Sequence, residues 1–493
     1  MNPKDVLLTF PELLLWFPLI SGLIAFVLKK GDQAKKWALT SSFITVGIVA
    51  ASLFFTDQKY FNFNNVSYFW MPSLGSSFAL MYDGMGRMLC LLTAVSFPLV
   101  FLSTYNNDYK KPHSFYGLML LTQAGLMGVF CAMDALVFYF FWELALIPVY
   151  FLSSIWGGEK RIQATFKFFV YTFAGSLLLL IGIIYVYLHT PEGTFSLRAF
   201  MEAKLPPGKE KVAFWLFFIA FAIKMPVFPF HTWQPDAYEQ SPTGVTMILS
   251  GIMVKMGVFA LIRWLVPVFP YATQMFSNIV IVLAVTGMIY ASCIAWMQDD
   301  LKRLVAYSSI AHIGLMCAAV FARAESGVEG VMIQMFNHGI NIIGLWIVVN
   351  AIEKYWGTRK ISEMGGLANT SPTLTIFLVI IALANIALPL TNAFVGEFLM
   401  FNGLFTYGKW TTAIALISII LAAVYTLNMI QKVFYGPVRA HYPLAGVTRL
   451  DKGAVVALSI IVIIIFVLGV YPKPLIELTM STVGAFMNKV HGL

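Results

Sequence analysis

Long apolar stretches recur along the whole sequence and restrict its fold more than any other feature. The runs are roughly 18 to 25 residues long, with one longer run, and therefore long enough to cross a hydrocarbon core of about 30 Å. We predict fourteen membrane spans, near residues 8–28, 37–55, 85–104, 114–132, 135–155, 163–187, 212–230, 243–265, 277–297, 303–322, 328–350, 373–407, 411–431 and 453–471. The predicted fold is an all-α, polytopic membrane protein.

The composition excludes a chain of water-soluble domains. Of the 493 residues, 59% are hydrophobic and only 11% are charged, whereas soluble domains carry roughly 25% charged residues. No polar linker divides the spans, so residues 1–493 are predicted to form a single membrane domain. The net charge of +9 does not indicate nucleic-acid binding, because the basic residues lie in short loops between apolar runs.

The distribution of basic residues predicts the orientation in the membrane. Loops that follow odd-numbered spans carry more Lys and Arg than the opposite side. The positive-inside rule therefore predicts that both termini are periplasmic. Asp5, Glu12 and the absence of a small-residue cleavage site predict that the first span is retained.

The four cysteines do not predict a cofactor or disulfide framework. They lie in or near spans, far apart in sequence and without a CxxC pair. We interpret them as small apolar core residues, and no metal site is predicted. They are Cys90, Cys131, Cys293 and Cys317.

Ionisable residues inside the spans are the informative exceptions to the apolar pattern. Each costs about 2.5–3.5 kcal/mol at a helix centre, and such residues usually line a pathway or pair with one another. They are Glu143 in span five, Lys167 in span six, Lys224 in span seven, Lys255 in span eight, His312 in span ten, His338 in span eleven and Glu397 in span twelve. Their spread over many helices favours a pathway.

For single residues, a purely structural role remains an open interpretation. Glu143 and Lys224 fit a static ion pair, Lys167 fits an interfacial anchor, and either histidine fits a hydrogen bond between helices. Two polar stripes at helical spacing add to the pattern. These are Gln163, Lys167 and Tyr171 in span six, and Gln334, His338 and Asn341 in span eleven.

Prolines predict breaks in spans seven and twelve. Pro226 and Pro229 follow Lys224 directly, and Pro389 precedes Glu397 by eight residues. Proline removes a helical hydrogen bond, and freed backbone at membrane depth is tolerated only where protein or water satisfies it. Breaks at corresponding places predict two inverted five-helix repeats, near 114–265 and 277–431, with a central site between them.

Two segments carry distinctive motifs. The first is PVFPFHTWQPDAYEQSPT (226–243), which contains His231 and precedes Lys255 in VKMG, and the second is QDDLKRLVAYSSIAHIG (298–314). They resemble the two signatures of the antiporter-like membrane subunits of respiratory complex I, the NADH:quinone oxidoreductase. The resemblance continues through NHG (337–339), TRKISEMGGL (358–367) and LPLTNAFVGEF (388–398) and covers essentially the whole chain.

Span twelve indicates which branch of the family the chain resembles. L-type and N-type subunits and the D subunit of Mrp antiporters typically have lysine where this chain has Glu397, whereas M-type subunits have glutamate. Only about 22 residues follow the last span, where L-type subunits have a long lateral helix. The chain departs from the family at Tyr238, where histidine is common, and at Leu390, where glycine usually follows the proline.

The resemblance implies a proton-translocating subunit of an inner-membrane respiratory complex. It implies a water-bridged chain along the membrane midplane through Glu143, Lys224, Lys255, His312 or His338, and Glu397, with Lys167 and His231 as supporting polar groups.

Moving one charge against 100 mV requires about 2.3 kcal/mol, and the sequence contains no cofactor motif that supplies it. Flavin, iron–sulfur clusters and quinone are therefore expected in partner subunits, beside L-like and N-like neighbours. An Mrp-type cation/proton antiporter, a proton-pumping hydrogenase subunit and a purely structural scaffold remain as alternatives.

Overall fold

The computed structural model describes residues 8–55, 60–437 and 450–491. From the N-terminus the elements are α1 (Phe10–Val27), α2 (Gly31–Ser52), α3 (Phe61–Asn64), β1 (Asn65–Met71), β2 (Ser76–Met81), α4 (Gly84–Ser103), α5 (Pro112–Cys131), α6 (Ala135–Trp156), α7 (Arg161–Tyr187), α8 (Leu197–Glu202), α9 (Pro207–Lys224) and α10 (Trp233–Gln240). They continue with α11 (Thr243–Ile248), α12 (Lys255–Ala260), α13 (Pro270–Met297), α14 (Leu301–Phe321), α15 (Glu325–Trp356), α16 (Leu367–Thr370), α17 (Pro372–Asn385), α18 (Asn392–Tyr407), α19 (Lys409–Phe434), α20 (Lys452–Val470) and α21 (Lys473–His491).

Helices lie over all fourteen predicted spans, so the predicted all-α membrane class is confirmed. Within the described residues, eleven helices are long and apolar enough to cross a membrane. The predicted spans that do not meet this criterion include the two broken spans and α2, whose first half carries Asp32, Lys35 and Lys36.

Burial separates the helices that face lipid from those that form the centre. The apolar windows of α15 and of residues Thr243–Leu265 are 100% buried, and that of α14 is 94% buried. The windows of α7 and α20 are only 39% and 28% buried. The helices that carry Lys255, His312 and His338 therefore lie inside the bundle, away from the lipid.

Both predicted breaks are present. Helix α9 ends at Lys224, and irregular backbone with Pro226 and Pro229 leads to α10. Helix α17 ends at Asn385 and α18 begins at Asn392, with Pro389 between them. Each broken span is the fourth of its proposed five-helix repeat. The inverted relation of the two repeats stays a prediction.

Span eight contains a distortion that its sequence did not predict. The segment Thr243–Leu265 includes two π-helical stretches, Leu249–Met253 and Leu261–Leu265, on either side of α12. Val254 N–H accordingly donates to Leu249 O, five residues back. Such π-bulges are rare and frequently lie at functional sites.

Besides short connecting helices, a hairpin and a C-terminal helix lie outside the predicted spans. The strands β1 and β2 form an antiparallel hairpin between spans two and three, with Asn65 opposite Met81 and Tyr68 opposite Phe78. Side chains of a strand alternate between its two faces, and in β2 the buried face is formed by Ser76, Phe78 and Leu80. After the last span, α21 forms a further helix. A search for long apolar runs detects neither element.

Candidate functional site

Four titratable side chains lie next to one another across four central helices. Lys255 Nζ lies 2.9 Å from His338 Nδ1. The rings of His338 and His312 have centroids 5.3 Å apart, and His312 Nδ1 lies 3.0 Å from Glu397 Oε1. All four residues are buried. Sequence reasoning left open which histidine takes part, and the structure brings both into the row.

The π-helical backbone positions Lys255 at one end of this row. Its ammonium donates 2.7 Å to Ser250 O within the distorted stretch, and its side chain has no exposed surface. The ammonium is therefore hydrogen-bonded on two sides, by a backbone carbonyl and by His338. Both partners belong to the bundle interior, so the lysine is fixed without reaching lipid or bulk water.

Close packing of α15 and α18 positions Glu397 at the other end. A Cβ on Gly330 of α15 would lie 2.7 Å from the backbone Gly396 O, and one on Gly396 would lie 3.0 Å from Gln334 Cβ, so glycines at this contact permit the close approach. Gln334 Nε2 donates to Glu397 Oε1 over 3.3 Å. The same interface includes Asn337, whose amide donates to Asn392 O at the start of α18.

A second set of polar groups, which sequence reasoning missed, surrounds His312. Asn385 Nδ2 lies 3.5 Å from His312 Nε2 and 3.3 Å from Ser308 Oγ. Tyr425 OH donates to the same Ser308 Oγ over 2.9 Å. A cavity of about 20 Å³ between His312, Glu397 and Tyr425 exceeds the roughly 10–15 Å³ that one water molecule needs. The only sequence signal was Asn385, a polar residue in an otherwise apolar run.

Glu143 and Lys224 lie near each other but not in contact. Lys224 is buried, and its Nζ lies 5.3 Å from the ring centroid of Trp142, the residue that precedes Glu143. Within the described chain, neither Lys224 Nζ nor Glu143 Oε1 has a hydrogen-bond partner. The static ion pair that the sequence left open is therefore absent from this structure.

Lys167 belongs to an ion-pair network at one end of the bundle. Its Nζ lies 2.7 Å from Asp236 Oδ2. Arg303 Nη1 lies 3.0 Å from both Asp236 and Glu239, and Arg359 Nη2 lies 2.5 Å from Glu239. Burial opposes ionisation of Asp236, but hydrogen bonds from Lys167 and Arg303 outweigh it and lower the pKa of this carboxyl.

The remaining predicted polar groups lie around the break in span seven. Tyr171 OH is 2.9 Å from Thr232 Oγ1. His231 is buried, with its ring centroid 5.3 Å from that of Tyr290. Tyr171 and His231 therefore lie at the irregular segment that follows Lys224, and Lys167 is paired with Asp236 of the helix after it.

The cysteines require one correction. Cys90, Cys131 and Cys317 are buried as expected of core residues, but Cys293 is exposed. Cys90 Sγ and Cys131 Sγ, far apart in sequence, are 3.8 Å apart in the bundle interior. All four are free thiols. In the part of the chain that the structure describes, no cluster of three or more His, Cys, Asp or Glu side chains could hold a metal ion.

Comparison with known proteins gives consistent matches over nearly the full length. Residues 132–422 match the family described as NADH:quinone oxidoreductase/Mrp antiporter, TM. NADH-quinone oxidoreductase subunit M of Rickettsia prowazekii (strain Madrid E) is 34% identical over 475 residues, which cover 94% of this chain and 95% of that protein.

F(420)H(2) dehydrogenase subunit M of Methanosarcina mazei is 32% identical over 504 residues, 99% of this chain and 100% of that protein. A chain of respiratory complex I from Thermus thermophilus superposes with a TM-score of 0.89 at 27% identity, covering 97% of this chain and 99% of that one. The chain therefore belongs to the NADH:quinone oxidoreductase/Mrp antiporter transmembrane family and, within it, to the subunit M group.

Proposed function

We propose that the chain translocates protons through Glu143, Lys224, Lys255, His338, His312 and Glu397, as a membrane-arm subunit of a respiratory NADH:quinone oxidoreductase. The observation that carries the proposal is the contiguous row from Lys255 to Glu397. Each member of that row has a side chain of a type that can hold a proton, each is buried, and together they lie on four helices. A purely structural core does not require a row of ionisable side chains, each of which is energetically costly to bury in a membrane.

The separation of Glu143 from Lys224 supports a switch at the start of the path. A carboxylate close to a buried lysine favours the protonated form, and its withdrawal favours release of the proton. Lys224 terminates a helix at a backbone break, so a small rearrangement there changes the distance between the two side chains. A proton released by Lys224 passes to Lys255, crosses both histidines and leaves through Glu397.

Energy for this transfer comes from partners. We propose that redox subunits with flavin and iron–sulfur clusters reduce quinone elsewhere in the complex and drive the switch mechanically. L-like and N-like membrane subunits flank the chain in this arrangement. The complex lies in the bacterial inner membrane with both termini of the chain periplasmic.

Lys224 and Lys167 provide a matched experiment. The complex with Lys224→Met, Lys167→Met or no substitution is reconstituted in vesicles, and proton uptake is measured at equal rates of quinone reduction. Because Lys224 is buried beside the break whereas 37% of the Lys167 side chain is exposed, we expect Lys224→Met to lose the proton transfer of this subunit and Lys167→Met to retain most of it. Unchanged proton uptake with Lys224→Met contradicts the proposal.

The Mrp-type alternative is tested with the same vesicles. A secondary antiporter exchanges sodium for protons when an ion gradient is imposed, without any electron donor. We expect no such exchange. Identification of the co-purifying subunits then shows which type of complex contains the chain. The electron donor differs between complexes with an NADH-binding flavoprotein, an F420H2-oxidising subunit or a nickel–iron subunit.

A further inference from the structure

A large cleft lies beside α21, apart from the row of titratable residues. It has a volume of about 840 Å³ and is bounded by α4, α20 and α21. Leu91 and Val95 of α4 line one wall, and Ile464 and Leu468 of α20 line the other. This volume is within the range of about 300–1,000 Å³ that is typical of ligand sites.

The cleft is continuous with the lipid-facing surface of the bundle. Ile463 and Val467 of α20 also line it, and they are 61% and 55% exposed. Because α20 is a candidate membrane span, these exposed apolar side chains face hydrocarbon. A molecule that occupies the cleft therefore arrives from the bilayer and carries apolar surface.

Arg87 gives the cleft one charged end. Its side chain is buried, with 6% exposed, and it donates through Nη2 to Phe55 O over 3.2 Å. Its Nε is also buried but has no hydrogen-bond partner among the described residues. The guanidinium lies 5.4 Å from the ring centroid of Tyr82, which contributes no negative group within hydrogen-bonding distance.

The two acidic residues of the cleft do not neutralise Arg87. Both carboxylate oxygens of Asp83 bind Arg263, at 2.7 and 2.6 Å. Glu477 pairs with Lys473 at 3.5 Å. In the described part of the chain, Arg87 has no carboxylate within 4.0 Å, so its guanidinium is not ion-paired, whereas the two carboxylates of the cleft are paired with Arg263 and Lys473.

We propose that this cleft binds an anionic phospholipid of the bilayer, with its phosphate on Arg87 and an acyl chain against α4 and α20. Charge complementarity selects the anionic headgroup, since basic pockets between membrane helices are typical sites for such lipids. The apolar walls select a lipid over free phosphate.

Helix α21 forms one side of the cleft. It packs so tightly on the start of α4 that a Cβ on Gly84 would lie 2.2 Å from Leu478 O, and its own Leu475 is buried. The bound lipid then connects this C-terminal helix to the transmembrane bundle.

Photocrosslinking tests the proposal directly. The intact complex is placed in nanodiscs that contain a trace of phosphatidylglycerol with a diazirine in its acyl chain, or the matching phosphatidylcholine probe. After illumination, labelled peptides are mapped by mass spectrometry. We expect labels on α4 and α20, and about fivefold more label from the anionic probe, the effect expected of one basic residue.

Variants separate the headgroup site from the apolar walls. Arg87→Gln is expected to reduce anionic labelling to the level of the choline probe, while Arg87→Lys retains the preference. Ile464→Trp fills the cleft and is expected to reduce labelling by both probes. Lys409→Gln, a basic residue outside the cleft, is the matched control and should label as the parent does.

Two outcomes would overturn the proposal. Equal labelling by the two lipids in the unsubstituted complex would show that Arg87 selects no anionic headgroup. No lipid label on α4 or α20 from either probe, with label elsewhere on the complex, would show that no lipid acyl chain occupies the cleft.

Discussion

Glu397→Gln is the sharpest test of the row of titratable residues. Glu397 Oε1 lies 3.0 Å from His312 Nδ1, so the carboxylate attracts a proton that arrives on the imidazole. Glutamine has the same shape and still offers an oxygen to Gln334 and His312. The substitution therefore removes one charge while the packing between α15 and α18 is retained.

The expected effect follows from Coulomb's law. At 3.0 Å and an effective dielectric constant of about 20, a unit charge pair interacts by roughly 5 kcal/mol. Each 1.4 kcal/mol corresponds to about a factor of ten in an equilibrium constant. Rearrangement of nearby dipoles recovers part of the lost attraction, so we expect occupancy of His312 by a transferred proton to fall by roughly 10²- to 10³-fold.

Proton movement and electron transfer are measured together in vesicles that contain the reconstituted complex. We expect fewer protons per quinone reduced, while the quinone reductase rate in uncoupled vesicles is retained. Glu329→Gln is the matched control, because Glu329 lies on α15 outside the row. An unchanged proton-to-quinone ratio in Glu397→Gln would show that the terminal carboxylate does not carry the proton.

Three further predictions address coupling, backbone and pH. Lys255→Met combined with Glu397→Gln should reduce proton uptake no further than either single change, because groups that act in series are not additive; the vesicle assay measures this. Leu390 has φ +71°, a left-handed conformation that costs a non-glycine residue roughly 1–2 kcal/mol. Leu390→Gly should therefore raise the melting temperature of the solubilised complex by about 1–3 °C. Leu388→Gly, outside the left-handed region, is the control and should lower the melting temperature. Asp236 has a pKa that is lower in the folded protein than in the unfolded chain. Its stabilising effect is therefore present above about pH 4 and is lost as the pH falls through the lower folded value. In thermal unfolding followed by tryptophan fluorescence, the melting temperature of Asp236→Asn should fall less on acidification than that of the parent.

The transmembrane fold could be predicted because its determinants are local. Apolar length defines each span without reference to any neighbour, and proline removes a backbone hydrogen bond wherever it occurs, so the breaks after Lys224 and before Glu397 were visible in the sequence. The π-helical stretches beside Lys255 were not visible. The first stretch packs closely on α15, where a Cβ on Gly251 would lie 2.9 Å from Ile343, and no residue type specifies that packing by itself.

The members of the candidate site could be predicted from the residues themselves, whereas their order was implied only by the family resemblance, with the choice of histidine left open. A buried lysine or glutamate is conspicuous in an apolar run, so all four residues of the row were found. The contacts between them depend on tertiary packing, for example on the close approach of α15 and α18 at Gly396. Asn385, Ser308 and Tyr425 were missed because one amide or hydroxyl in a membrane helix usually bonds its own backbone, and only the fold shows that these three converge near His312.

The two backbone breaks and the titratable groups act as parts of one arrangement. Helix α9 ends at Lys224, and helix α17 ends at Asn385, which lies beside His312. Each break therefore places its freed backbone next to a side chain of the proposed proton path. Helices packed as tightly as α15 and α18 shift little, whereas irregular segments accept changes of backbone angle at low energy. A mechanical signal from a neighbouring subunit would accordingly act first at these breaks, changing the approach of Glu143 to Lys224 at one end and of Asn385 to His312 near the other.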